Sequence, residues 1–165
     1  MRKQNIVKYT PIGVIHSPLK RSVGSPIQSG VGLSVKGRLE VFHPYIRGMA
    51  GLSGFSHLIL IYDFHLAKTR PLVVRPFLDD KHLYGVFSTR APARPNSIGI
   101  SVVGVRSVRG RNIFVQDLDV IDGTPLLDIK PYVPSFDRRQ TKRIGWYSGR
   151  VQKLRNCKAD DRFDR

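Results

Sequence analysis

One cysteine, one tryptophan and two methionines among 165 residues leave little room for several kinds of chemistry. Cys157 has no second thiol to pair with, which excludes an intramolecular disulfide and a cysteine-based zinc site. A solitary thiol in a basic tail also carries no sign of an activated nucleophile. Long apolar runs are missing: the longest, "LILIY" at 58–62, is strand-sized and far short of the roughly 18 residues a bilayer span needs. The opening "MRKQNIVKYTPIG" has no apolar stretch of the kind a secretion signal requires, so no membrane association and a cytoplasmic location are expected. Few segments hold a helical period and no strand is followed by a glycine-rich turn, which counts against a doubly wound dinucleotide fold.

Acidic residues are the remaining scarcity. Twelve Asp plus Glu against 28 Lys plus Arg give a net charge of +16 and a pI near 10.7. Such an excess repels itself in a compact state, and it points to a polyanionic partner, with nucleic acid ahead of an anionic membrane because no basic amphipathic helix is present.

What the chain does have is a succession of short apolar stretches punctuated by Gly, Pro, Ser and Asp. Leu39 and Val41 alternate with Arg38 and Glu40, and Ile113 and Val115 with Phe114 and Gln116, as strands with one buried face do. "SVRGRNIFV" reads as a hairpin turning at 109–112. "HPYIRGMAGL" from His43 makes a short helix at most. The sum is an all-β dominated domain, a small β-barrel of short mixed strands with short helices, spanning 1–137. Residues 138–165, rich in Lys and Arg and poor in aliphatics, read as a loosely held basic C-terminal tail.

Four blocks could carry chemistry. In "STRAPARPNSIGIS" (88–101), Pro92 and Pro95 keep the preceding residues out of the helical region and stiffen the loop that presents Arg90, Arg94 and Asn96. A stiff loop loses little entropy on binding, which suits guanidinium groups aimed at phosphate or carboxylate, although solvated arginines on a plain connection fit the same residues. "DLDVIDGTPLLDIKPYVPSFD" (117–137) gathers Asp119, Asp122, Asp128, Lys130 and Tyr132 in an otherwise acid-poor chain. Asp122-Gly123 alone reads as a turn, whereas the density of carboxylates suits a cationic or hydroxyl-rich ligand such as S-adenosylmethionine. "GFSHLILIYDFHLAK" (54–68) sets His57 and His65 at the two ends of a buried strand, too far apart for one metal ion, so no metal site is expected. "PIGVIHSPLKRSVGSPIQ" (11–28) is a strand followed by a long basic loop.

These blocks, in this order, resemble the TsaA/TrmO family of tRNA methyltransferases. The matching strings are "PIGVIHSP", "GFSHLILIYDFH", "GVFSTRAPARPNSIGIS" and "DVIDGTPLLDIKPYVP", over roughly residues 10 to 135. The resemblance implies an S-adenosylmethionine-dependent enzyme on a non-Rossmann barrel, working as a homodimer and methylating N6 of threonylcarbamoyladenosine next to the anticodon of tRNA. It implies cofactor contacts at Pro26, Ile27 and Gln28, at His65 and Leu66, at Arg90 and Ile100, and at Val120, Ile121, Asp122 and Gly123. Relatives often carry an arginine where this chain has Ile27, which implies a backbone contact there. Bacterial relatives carry a further small C-terminal domain that a chain ending at Arg165 does not accommodate, so the basic tail is expected to help hold tRNA or the tRNA surface to differ.

Methyl transfer needs nucleophile, methyl and sulfur in line with water excluded, and an amide-conjugated N6 needs help in losing its proton. His65 and Asp128 are the candidates for that help, Arg94 or Lys130 for gripping the threonyl carboxylate, Asn96 for the modified base and Tyr132 for stacking. Two readings of other classes stay open: a non-catalytic basic β-barrel RNA-binding module, and the same cofactor with a different acceptor.

Overall fold

The computed structural model describes residues 6–31 and 34–163; residues 1–5, 32–33 and 164–165 lie outside it, and with them the first residues of the amino terminus and the last two positions of the basic tail. Strands β1 (Gly13–His16), β2 (Gly37–Val41) and β3 (His57–Asp63) are followed by a two-residue pair, β4 (Val73–Val74) and β5 (Tyr84–Gly85). The long β6 (Ile98–Arg109), β7 (Asn112–Gln116) and β8 (Thr124–Pro131) come next, then one helical turn, α1 (Pro134–Asp137). Six strands close into a barrel in the order β1-β2-β7-β6-β3-β8, with every neighbour antiparallel.

Alternation writes the barrel. Leu39 and Val41 from β2, Leu58, Leu60 and Tyr62 from β3, Ile113 and Val115 from β7 and Leu126 from β8 point inward and are buried, while their neighbours face out. Each fully buried Leu or Ile side chain contributes roughly 1.5–3 kcal/mol of transfer free energy. The expected hairpin forms: β6 turns into β7 through Gly110-Arg111, with Gly110 at φ 54. The segment from His43 is a short 3-10 helix (His43–Met49).

Strand β3 lies between β6 and β8, so the paired rows 61-100-128 and 59-102-130 share the outer face of the wall. The end of β3, the start of β6 and the start of β8 gather at one mouth of the barrel. There Gly99 packs against Tyr62: a Cβ at position 99 would clash with the tyrosine ring.

A second core sits beside this mouth, made of Val74, Val86, Ala91, Ala93 and Phe163 with Phe77 against it. The loose tail expected from the sequence is instead built into the fold. Phe163 enters this core, the Ala159 N–H donates to Ser25 O and the Gly24 N–H to Ala159 O, and Pro26 bridges Lys158 in a single β-ladder step. Arg162 adds ion pairs to Asp80 and Asp160 and lies over the ring of Phe77. Low aliphatic content concealed this docking, because the segment is held by backbone pairing, aromatic contacts and guanidinium bonds instead of a hydrophobic stripe.

Candidate functional site

A cavity of about 200 Å³ opens at the barrel mouth between the loops that follow β1 and β3, the loop that enters β6, the 119–124 segment and the docked C-terminal segment. The first loop contributes Pro26, Ile27 and Gln28, the exit of β3 contributes His65 and Leu66, and the opening of β6 contributes Ile98, Gly99 and Ile100. Arg90 and Arg94 reach it from the proline-stiffened loop, and Val120 and Ile121 from the turn before β8. Residues more than ninety positions apart in the chain are therefore neighbours here.

The proline loop is held from both sides. Ala91 and Ala93 are buried in the second core, the Thr89 hydroxyl donates to Val86 O, and the Ser97 hydroxyl donates to the Asp63 carboxylate at 3.0 Å. Arg90 is exposed at the rim, with one guanidinium nitrogen 3.2 Å from Gln28 Oε1. Arg94 spends N–H groups on the carbonyls of Thr89 and Ala91, so it braces the loop as well as lining the cavity. Asn96, two residues on, is exposed and outside the lining.

Asp119 is a cavity residue that the resemblance did not single out. Its carboxylate accepts a 2.5 Å hydrogen bond from the Ser101 hydroxyl, which is in turn 2.9 Å from the Tyr62 hydroxyl. With Ser101 donating to the carboxylate, Tyr62 donates to Ser101, and a three-residue relay runs from the barrel interior to the cavity floor. Burial pushes the Asp119 carboxyl up to about 6, against the opposing pull of Ser101, two main-chain N–H groups and the Arg90 charge. Burial likewise pushes the Tyr62 phenol up, which keeps it a donor. The sequence placed Asp119 in the same acidic stretch as Asp122 and did not distinguish the two.

Asp122 does something else. One carboxylate oxygen accepts the Ser17 N–H at 2.9 Å and the other pairs with Lys20 at 2.7 Å. The Lys20 hydrogen bond foremost, then the Ser17 N–H, holds its carboxyl below the usual range. Gly123 follows at φ 78, where a side chain would be strained, and its N–H donates to Ile15 O. Neither Asp122 nor Gly123 lines the cavity; together they fasten the first loop to the turn that carries Val120 and Ile121.

Asp128 and Lys130 form a 2.6 Å ion pair on the outer face of β8, outside the cavity lining. Asp128 stands opposite Ile61, which stands opposite Ile100, so it is two strands, about 10 Å, from the cavity rim on the same outer wall. Tyr132 is farther along, edge-on to His57 at the other end of β3. Among the described residues no group of three His, Cys, Asp or Glu could hold a metal, and no helix is long and apolar enough to cross a membrane.

The cavity's donors suit S-adenosylmethionine. That molecule carries a sulfonium, an ammonium, a carboxylate and a purine, and the lining offers a carboxylate in Asp119, a guanidinium in Arg90 and apolar sides in Ile27, Leu66 and Val120.

Known proteins share the fold and much of the sequence. Residues 14–138 match the family described as "tRNA-methyltransferase O N-terminal domain". A probable S-adenosyl-L-methionine-binding protein of Pyrococcus abyssi is 50% identical over 96% of this chain and 85% of its own length. The tRNA (adenine(37)-N6)-methyltransferase of Escherichia coli is 40% identical over 77% of this chain, which spans 58% of that enzyme. A crystal structure of TrmO from Pseudomonas aeruginosa superposes with a TM-score of 0.73 at 34% identity, covering 88% of this chain and 63% of that one. A closed antiparallel barrel whose mouth gathers the four sequence blocks, matched over three quarters of the chain, makes this protein a member of the tRNA-methyltransferase O N-terminal domain family.

Proposed function

We propose that the protein is an S-adenosylmethionine-dependent tRNA methyltransferase acting on N6 of the threonylcarbamoylated adenine beside the anticodon. The observation that carries this reading is the convergence of Arg90, Gln28, His65, Leu66, Ile100, Val120 and Ile121 around one cavity floored by Asp119. The cofactor, when bound, supplies a methyl group made electrophilic by its positively charged sulfur. Arg90 holds the cofactor carboxylate and Asp119 its cationic end, and the apolar loop residues keep water from the sulfur. Asp122 and Gly123 serve the cofactor by fixing the first loop that bears Pro26, Ile27 and Gln28.

His65, exposed at the mouth, is the group best situated to take the N6 proton. Arg94 grips the threonyl carboxylate with N–H groups not spent on its own loop, and Asn96 meets the base edge at the rim. Asp128 and Lys130 face the outer wall, so any part they take requires the RNA or a second copy of the chain to bring wall and mouth together.

The basic surface supports the nucleic-acid half of the reading. Arg138, Arg139, Lys142, Arg143, Lys153, Arg155 and Lys158 are exposed on the segment beside the cavity, where they can follow a phosphate backbone while the target base is turned into the mouth. A homodimer fits the outer wall of β3 and β6, where Ile98 and Ile100 are 44% and 51% exposed in line with Ile59, Ile61 and Val102. Sedimentation of wild type against Val102→Asp tests that association. A cytoplasmic location follows from the substrate.

The deciding experiment has two arms. Calorimetric titration with S-adenosylmethionine should give saturable one-site binding, and nucleoside mass spectrometry of tRNA incubated with protein and cofactor should reveal a methylated threonylcarbamoyladenosine. Absence of cofactor binding at millimolar concentration overturns the enzyme and leaves an RNA-binding barrel.

A further inference from the structure

The C-terminal segment does more than cover the second core. Trp146 and Tyr147 both line the cavity at the barrel mouth, yet both lie beyond residue 138, where the match to the family domain stops. They come as a preassembled stack. Tyr84 of β5 lies on Trp146 with ring centres 4.8 Å apart and planes 28° apart, and Trp146 lies on Tyr147 at 4.0 Å and 27°. The Trp146 indole N–H donates to Ser88 O at 2.7 Å, which fixes the indole against the start of the proline loop. Tyr147 is half-buried and lies against Arg90. Arg150, three residues on, pairs with the buried carboxylate of Asp79 and ties the stack to the loop before β5.

A column of three rings, anchored at both ends and ending in a cavity beside the arginine that holds the cofactor, has the form of a stacking surface. A purine offers the matching face, and stacking on a rigid aromatic loses little entropy. We propose that Tyr147, backed by Trp146 and Tyr84, is the wall against which the cofactor's purine stacks, so that the segment after the family domain completes the cofactor site. The assignment rests on the reading of the cavity as an S-adenosylmethionine site. It commits to the purine of the cofactor over the target base because Tyr147 lines the same cavity as Pro26, Ile27 and Gln28 and Val120 and Ile121, the loop residues assigned to the cofactor.

Trp146 is the sole tryptophan, so intrinsic fluorescence reports this wall directly. Titration of the full chain with S-adenosylmethionine, and separately with adenosine, should change Trp146 emission saturably, whereas methionine alone should not. Tyr147→Ala should raise the calorimetric Kd for S-adenosylmethionine about tenfold or more, and Tyr147→Phe should stay within about twofold of wild type. If the cofactor binds Tyr147→Ala as tightly as wild type, or binds wild type without changing Trp146 emission, the wall faces something else and the assignment fails alone. If wild type binds no cofactor in calorimetry, the assignment falls together with the enzyme reading. Should Tyr147→Ala not fold, Tyr147→Leu, which keeps apolar bulk without a ring, gives the same comparison.

Discussion

The guanidinium of Arg150 lies 2.9 Å from the carboxylate of Asp79, which is 4% exposed. Asp79 also accepts the Tyr84 hydroxyl at 2.7 Å and the Lys81 N–H, and the His82 ring stands 3.0 Å away. The Tyr84 hydrogen bond foremost holds the Asp79 carboxyl far below the usual range. A depressed carboxylate contributes stability above its unfolded value near 3.8 and loses it as pH falls through the folded value. Arg150→Gln is therefore expected to loosen 138–163 at neutral pH, seen as faster amide exchange there with β3 and β6 unchanged. Acidification from about pH 4 downward should progressively weaken the hold on the same segment in wild type, ahead of the barrel.

Asp119 gives a pH dependence of the opposite sign. Its carboxyl, raised by burial to about 6, stabilises the ligand-free fold fully below its unfolded value of 3.8 and loses that contribution as pH rises through 6. A cationic cofactor favours the ionised form, so its affinity should fall as pH drops from 7.5 to 5. Asp119→Asn should bind about tenfold or more weakly at pH 7.5 and show a nearly flat profile, read by calorimetry across that range.

On the proposed role of Arg90 as partner of the cofactor carboxylate, worth roughly 1.5–3 kcal/mol, Arg90→Ala should weaken binding by about one to two decades. Arg94→Ala should lower turnover while cofactor Kd changes little. Equal loss in both measurements for Arg94→Ala would mean that bracing the carbonyls of Thr89 and Ala91 is its whole role.

Gly99→Ala should destabilise the barrel by about 1–3 kcal/mol, since the Tyr62 ring must shift to admit the methyl. Because Tyr62 donates into the Ser101–Asp119 relay, the same variant should also weaken cofactor binding. Urea denaturation and calorimetry on one preparation test both.

tRNA binding should fall with salt, with a slope near −0.7 to −0.9 per phosphate contact in a log–log plot. Charge reversal of Lys142, Arg143 and Arg155 together should reduce that slope by about 2 to 3, whereas cofactor affinity in the absence of RNA should not move.

The barrel was legible because strand alternation is a local signal: Leu39 and Val41 against Arg38 and Glu40 announce a wall whatever they pair with. The cavity loops were legible through their strings, and Pro26, Gln28, Arg90 and Ile121 do meet at one mouth. Asp119 and Asp122 could not be told apart in sequence, because which of two carboxylates three residues apart faces a cavity depends on the loop at 17–20 that captures one of them. The docking of Trp146, Tyr147 and Phe163 was hidden for a similar reason: aromatic residues spaced without period announce no element, and their partners at Tyr84 and Phe77 are some sixty or more residues upstream.

Closure of the barrel has a consequence for how the protein is made. β1 finds one partner in β2 nearby, but its other partner is β8, with Gly13 opposite Leu126. A chain emerging from the ribosome thus holds an open sheet with a free edge on β1 until more than a hundred further residues have followed. The gap shuts only when 124–126 arrives, and the cavity exists only after residues near 160 have docked. Cofactor binding during synthesis would mark the end of folding, and until β8 arrives β1 and β3 are the two edges open to wrong pairing.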